Sequence, residues 1–69
     1  MTDEMCFFIF LIENYACSKN RPTAEVLREW DSKNITDEIY NMYEMYHTER
    51  IENAYDDIDN LMKTGKHLW

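Results

Sequence analysis

A chain of 69 residues has room for one small domain. A domain of that size buries only about 60% of the surface its unfolded chain exposes, so its stability is marginal unless a disulfide, a metal or self-association adds to it. Fourteen acidic residues against seven basic ones give a formal net charge of −7, a surface that repels nucleic-acid phosphates, and 45% hydrophobic content argues against disorder. With a single glycine and a single proline there is little material for hairpin turns, which favours helices.

The first helix is predicted over residues 3–18. Thr2 supplies a capping hydroxyl, and Asp3 and Glu4 complement the helix dipole. Met5, Phe8, Ile9, Ile12, Tyr15 and Ala16 share one face, while Phe7, Phe10 and Leu11 fall off it. A helix apolar nearly all round is buried nearly all round. This one is therefore expected at the centre of the domain or at an interface with a second copy. A strand over residues 6–12 is the competing reading, set aside because the helical pattern continues and no second strand is visible. The apolar run over residues 5–12 falls far short of the roughly 20 residues a membrane span needs, and acids rather than bases precede it. No membrane association is predicted, and a cytoplasmic location is. Cys6 and Cys17 lie about 16 Å apart along such a helix, beyond the roughly 7 Å reach of a disulfide, and are expected as buried, reduced thiols.

Asn20 suits a left-handed helix end and Pro22 stops the helix. A second helix follows over 24–32, capped by Thr23, with Val26, Leu27 and Trp30 inward. Thr36 is expected to cap a third helix over 37–47, with Ile35 packing back as a staple. The second and third helices have the outline of a helix-turn-helix. Asp37, Glu38 and Glu44 with no base before Arg50 disfavour a DNA-binding regulator and leave it an alternative only.

Ile39, Met42, Tyr43 and Tyr46 form the inward face of the third helix. Ile51, Ala54, Tyr55, Ile58, Leu61 and Met62 form a second stripe rotated by about 100°. The phase slip predicts a break near residues 47–50 and a fourth helix over 49–64, capped by Thr48 and ended by Gly65. His67, Leu68 and Trp69 make a short tail whose tryptophan is expected on the core or on a partner. The fold class is all-α, a small bundle of three to four helices in a single domain over 1–69.

The acidity is local. Residues 37–59 carry eight acids and one base, Arg50, whereas residues 1–36 carry six acids and four bases. Such a half is a solvated face or a surface steered towards a basic partner protein. Asp56, Asp57 and Asp59 lack the glycine and glutamate of a calcium loop and are assigned to that outer face. Glu44-x-x-His47 has the spacing used in di-iron bundles, which need two such motifs, so both are weak metal candidates in a dimeric carboxylate–histidine alternative. No nucleophile motif, phosphate-binding glycine loop or cysteine–histidine cluster is present, and neither an enzyme activity nor a cofactor is predicted. Tyr43 and Tyr46 are expected in the core. Tyr40 and Met45 fall off it, and tyrosine and methionine are both suited to protein interfaces. The predicted partner-binding surface comprises Tyr40, Glu44, Met45, His47, Asp56 and Asp57.

The aromatic first helix over 7–15, Leu27-x-x-Trp30-Asp31, Tyr40-x-x-Tyr43-Glu44-x-Tyr46-His47-Thr48-Glu49 and Asp57-Ile58-Asp59 together resemble a family of short bacterial proteins, the domain of unknown function thirty-seven ninety-one. The resemblance covers almost the whole chain and carries no catalytic signature. Genes of that family in anaerobic bacteria sometimes lie beside an ADP-ribosyltransferase-like gene. The resemblance thus implies an accessory or antitoxin-like partner of a neighbouring protein. The reading that follows is a small acidic helical protein–protein interaction module, acting on another protein or as a homodimer.

Overall fold

A computed structural model describes residues 1–68; the expectation for Trp69 lies outside the described residues. The chain is all-α. Three longer helices, α1 (Asp3–Ser18), α2 (Thr23–Ser32) and α5 (Ile51–Thr64), are joined through two short ones, α3 (Thr36–Tyr40) and α4 (Tyr43–Tyr46).

Local signals fix most of the boundaries. Thr2 Oγ1 accepts the Met5 N–H at 3.1 Å, which satisfies one of the free donors at the start of α1. α1 and α2 end in the same device. Asn20 (φ 56°) and Asn34 (φ 59°) adopt the left-handed conformation. Behind them, Arg21 N–H reaches Ala16 O and Ile35 N–H reaches Trp30 O, both at 3.0 Å. This paired six-to-one closure uses carbonyls that a helix end otherwise leaves unsatisfied. Gly65 (φ 77°) turns the chain out of α5.

Three predicted caps are corrected. Pro22, Ile35 and Arg50, not Thr23, Thr36 and Thr48, occupy the N-cap positions of α2, α3 and α5. Thr36 instead donates its hydroxyl to Asp31 at 2.5 Å. Thr48 bonds back to the Met45 carbonyl at 3.0 Å, so it closes α4 rather than opening α5.

The helix expected over 37–47 is broken at Asn41 and Met42. There the bonding tightens, with Met42 N–H on Ile39 O at 3.1 Å and Met45 N–H on Met42 O at 3.0 Å. The turn lets two aromatics three residues apart both face α1. Tyr40 packs on Phe8 with ring centroids 5.7 Å apart, and Tyr43 on Phe7 at 5.6 Å. The second break, over residues 47–50, falls where the phase slip puts it.

The core joins Leu11, Ile12, Tyr15 and Ala16 of α1 to Val26 and Trp30 of α2, Ile35 before α3, Ile39, Tyr46, and Ala54, Ile58 and Leu61 of α5. Trp30 is fully enclosed, with Phe8 and Tyr15 rings at 6.0 and 5.5 Å. Its Nε1–H has no hydrogen-bond partner among the described residues. α1 is central, meeting α2, α3 and α4 directly and α5 through Tyr15, whose hydroxyl donates to Asp59 at 2.5 Å.

Yet α1 is not buried all round. The other helices pack against one side of it, with Leu11 inward and Met5, Ile9 and Phe10 left on the outside. Cys6 and Cys17 lie on the outer side too, as free, exposed thiols rather than buried ones. No helix of the described residues is long and apolar enough to cross a membrane.

Candidate functional site

Two places gather the polar and aromatic side chains that could act on something outside the chain. Of the six predicted partner-binding residues, Tyr40, Glu44 and His47 fall at the first and Asp57 at the second, while Met45 and Asp56 lie exposed outside both.

The first lies where the start of α1 meets the α3–α4 turn. An open cleft of about 350 Å³ is lined by Thr2, Glu4, Tyr40, Asn41, Tyr43 and Glu44. Of the predicted partner-binding residues, Tyr40 and Glu44 line it directly, and Tyr40 is half-buried because its ring leans on Phe8. His47 backs it: its ring stacks on that of Tyr43 at 4.2 Å and 2°, and its Nδ1 lies 2.5 Å from the Tyr43 carbonyl oxygen. Phe7 meets both rings edge-on. Tyr43, expected in the core, is half-buried as the cleft wall. Burial, then the charges of Asp3, Glu4 and Glu44, push its hydroxyl above the ordinary tyrosine range. Met45 is 46% exposed on the outer side of α4.

No hydrogen bond or ion pair joins Glu44 to His47 among the described residues. Nor do any three histidine, cysteine, aspartate or glutamate side chains among them cluster as a metal site. With Nδ1 turned into its own helix, His47 has only Nε2 to offer a ligand.

The second place is the carboxylate of Asp57. Expected on the outer acidic face, it has no exposed surface at all, while its neighbour Asp56 is exposed. Its carboxylate accepts the Tyr46 hydroxyl, His67 Nδ1 at 2.6 Å and the Leu68 N–H at 2.5 Å. His67 Nε2 in turn meets Glu38 at 2.8 Å. Burial pushes the Asp57 carboxyl up, but the bonds from Tyr46, His67 and Leu68 outweigh it and hold the group below the usual carboxylate range. His67 is shifted the other way. Burial disfavours its charge, and Asp57 and Glu38 more than compensate, so it stays protonated above the usual histidine range. Buried charge is tolerated here because both carboxylate oxygens accept hydrogen bonds, two on Oδ2 and one on Oδ1, and an imidazolium lies against it.

Sequence reasoning missed this network, although one signal was present. Ala54, Asp57, Ile58 and Leu61 stand at i, i+3, i+4 and i+7, so Asp57 lies on the inward face of α5. Glu4, Glu38 and His67 reach their positions only through tertiary packing, and nothing local points to them.

No curated protein and no solved structure matches the chain. The model of a family described as protein of unknown function (DUF3791) matches residues 6–65, and the chain belongs to that family.

Proposed function

We propose that the protein is a binding module rather than a catalyst: a small cytosolic accessory that engages another protein through the outer face of α1 and the adjoining α4. One observation carries this. Met5, Ile9 and Phe10 are 38%, 38% and 54% exposed on α1, outside the buried stripe of Leu11, Ile12, Tyr15 and Ala16 that faces the core. Cys6 lies among them. Apolar side chains at i, i+4 and i+5 form a contiguous strip, the kind a helix offers to a groove on a partner. Exposed Met45 on α4 adds a further adaptable contact. The charge of −7 opposes pairing with a second copy and supports a partner of opposite charge. The accessory role implied by the family resemblance agrees with this reading.

The test is co-expression with the protein encoded beside it. The two should co-purify, and the double variant Ile9→Ser, Phe10→Ser should fold normally and lose the partner. Sedimentation showing a wild-type dimer that this variant dissolves would assign the strip to self-association instead. Asp57 takes no part, because its carboxylate is consumed inside the fold.

A further inference from the structure

In the cleft between the start of α1 and the α3–α4 turn, aromatic rings and uncompensated carboxylates meet on one concave surface. Its volume of about 350 Å³ sits at the small end for a binding pocket and suits a single long side chain. Glu4 comes from α1 and Glu44 from α4, and neither has a basic partner among the described residues. The ion pairs there engage Glu25, Glu29, Glu38, Glu52, Asp57 and Asp59 instead. The positive end of the α1 dipole amounts to about half a charge, so two full carboxylate charges outweigh it.

We propose that this cleft is the receptor for an arginine side chain of the partner protein. The proposal rests on the binding role above and adds the partner's chemistry. The rings are already in place: Phe8 holds Tyr40, while Phe7 and the stacked His47 hold Tyr43. Little ordering of the rings is therefore left to oppose binding. A guanidinium can lie on a tyrosine face while its forked N–H groups reach the carboxylates, and the tyrosine hydroxyls, Asn41 and Thr2 offer further acceptors. Arginine fits better than lysine because its charge is planar, more weakly hydrated and spread over five donors. The upward shift of the Tyr43 hydroxyl, caused after burial by Asp3, Glu4 and Glu44, reports the negative field concentrated there. Phosphates and carboxylates would be repelled by it.

The experiment is a two-dimensional NMR titration of the full chain with N-acetyl-arginine amide. Saturable millimolar shifts are expected at the amides of Glu4, Asn41, Tyr43 and Glu44. Affinity should fall about tenfold or more in Glu4→Gln, Glu44→Gln, whose exposed side chains leave the fold intact. N-acetyl-citrulline amide, neutral and of the same shape, should give no saturable shift. The proposal is overturned by absence of saturation, by citrulline binding equally well, by an unchanged response in the double variant, or by shifts spread across the acids of α5. Equal binding of N-acetyl-lysine amide overturns the choice of arginine. The Ile9, Phe10 experiment reads the strip alone, so the cleft and the strip can fail separately.

Discussion

Asp57 and His67 are joined at 2.6 Å inside the fold, and this pair ties the residues beyond Gly65 back to the middle of α5. With the Tyr46 hydroxyl, the Leu68 N–H and Glu38, it makes one connected polar network in a domain too small to enclose much else.

Removing one member should cost more than any single apolar truncation at the surface. Asp57→Ala removes the acceptor that the Tyr46 hydroxyl, His67 Nδ1 and the Leu68 N–H share, and breaking such a buried pair costs about 3–5 kcal/mol. Asp57→Asn keeps the shape and one acceptor and should cost about 1.5–3 kcal/mol, the worth of hydrogen bonds to a charged group. Urea unfolding of the three proteins checks the order: wild type, then Asn, then Ala.

The same pair sets a pH window. The folded-state pKa of Asp57 lies below its ordinary 3.8, so its contribution is complete above that value and is lost as pH falls through the depressed one. The folded-state pKa of His67 lies above its ordinary 6.5, so its contribution is complete below 6.5 and is lost as pH rises through the raised one. Stability should therefore peak between these limits and decline on both sides. In His67→Asn the decline above 6.5 should vanish while the acid limb remains. Urea midpoints measured at intervals from acid to mildly alkaline pH decide it.

Asn34 holds φ at 59° between α2 and α3. Asn34→Gly should be tolerated. Asn34→Val forces a β-branched residue into the left-handed region and should cost about 1–2 kcal/mol. A thermal melt in which the valine variant matches wild type would contradict this account of the turn.

Tyr15 and Lys19 both reach Asp59, but unequally. The tyrosine hydroxyl bond is half-buried, whereas the Lys19 ion pair, at 2.8 Å, is open to solvent. Tyr15→Phe should lower stability by about 1 kcal/mol and Lys19→Ala by less than about 0.5 kcal/mol. Chemical denaturation of the two variants separates the contributions.

What the sequence made legible was punctuation and period. Asn20 at a left-handed helix end, Gly65 after α5 and the phase slip near residues 47–50 each reflect a local rule and appear where those rules put them. The interruption at Asn41 was hidden because Ile39, Met42, Tyr43 and Tyr46 fit one helix face. The turn aims Tyr40 and Tyr43 at Phe8 and Phe7 on another helix, a tertiary contact that no local pattern carries. Ile9 and Leu11 exchanged places for a similar reason: with apolar residues all round α1, periodicity could not say which side the other helices cover. At the cleft, Tyr40 and Glu44 were legible as residues outside the core stripe. Glu4 was not, since it arrives from the other end of the chain. At Asp57 the spacing with Ala54, Ile58 and Leu61 prevails over the charge, which alone points outward.

The clasp at Asp57 also bears on which residues must be present before the fold can close. Asp57 is made ten residues before the imidazole that neutralises it, and eleven before the backbone N–H of Leu68. A chain that packed its helices without residues 67 and 68 would enclose a carboxylate that keeps the Tyr46 hydroxyl but loses its other two donors, at a cost of several kcal/mol. A polypeptide cut after Lys66 lacks both donors and should keep its helices but exchange its core amides freely.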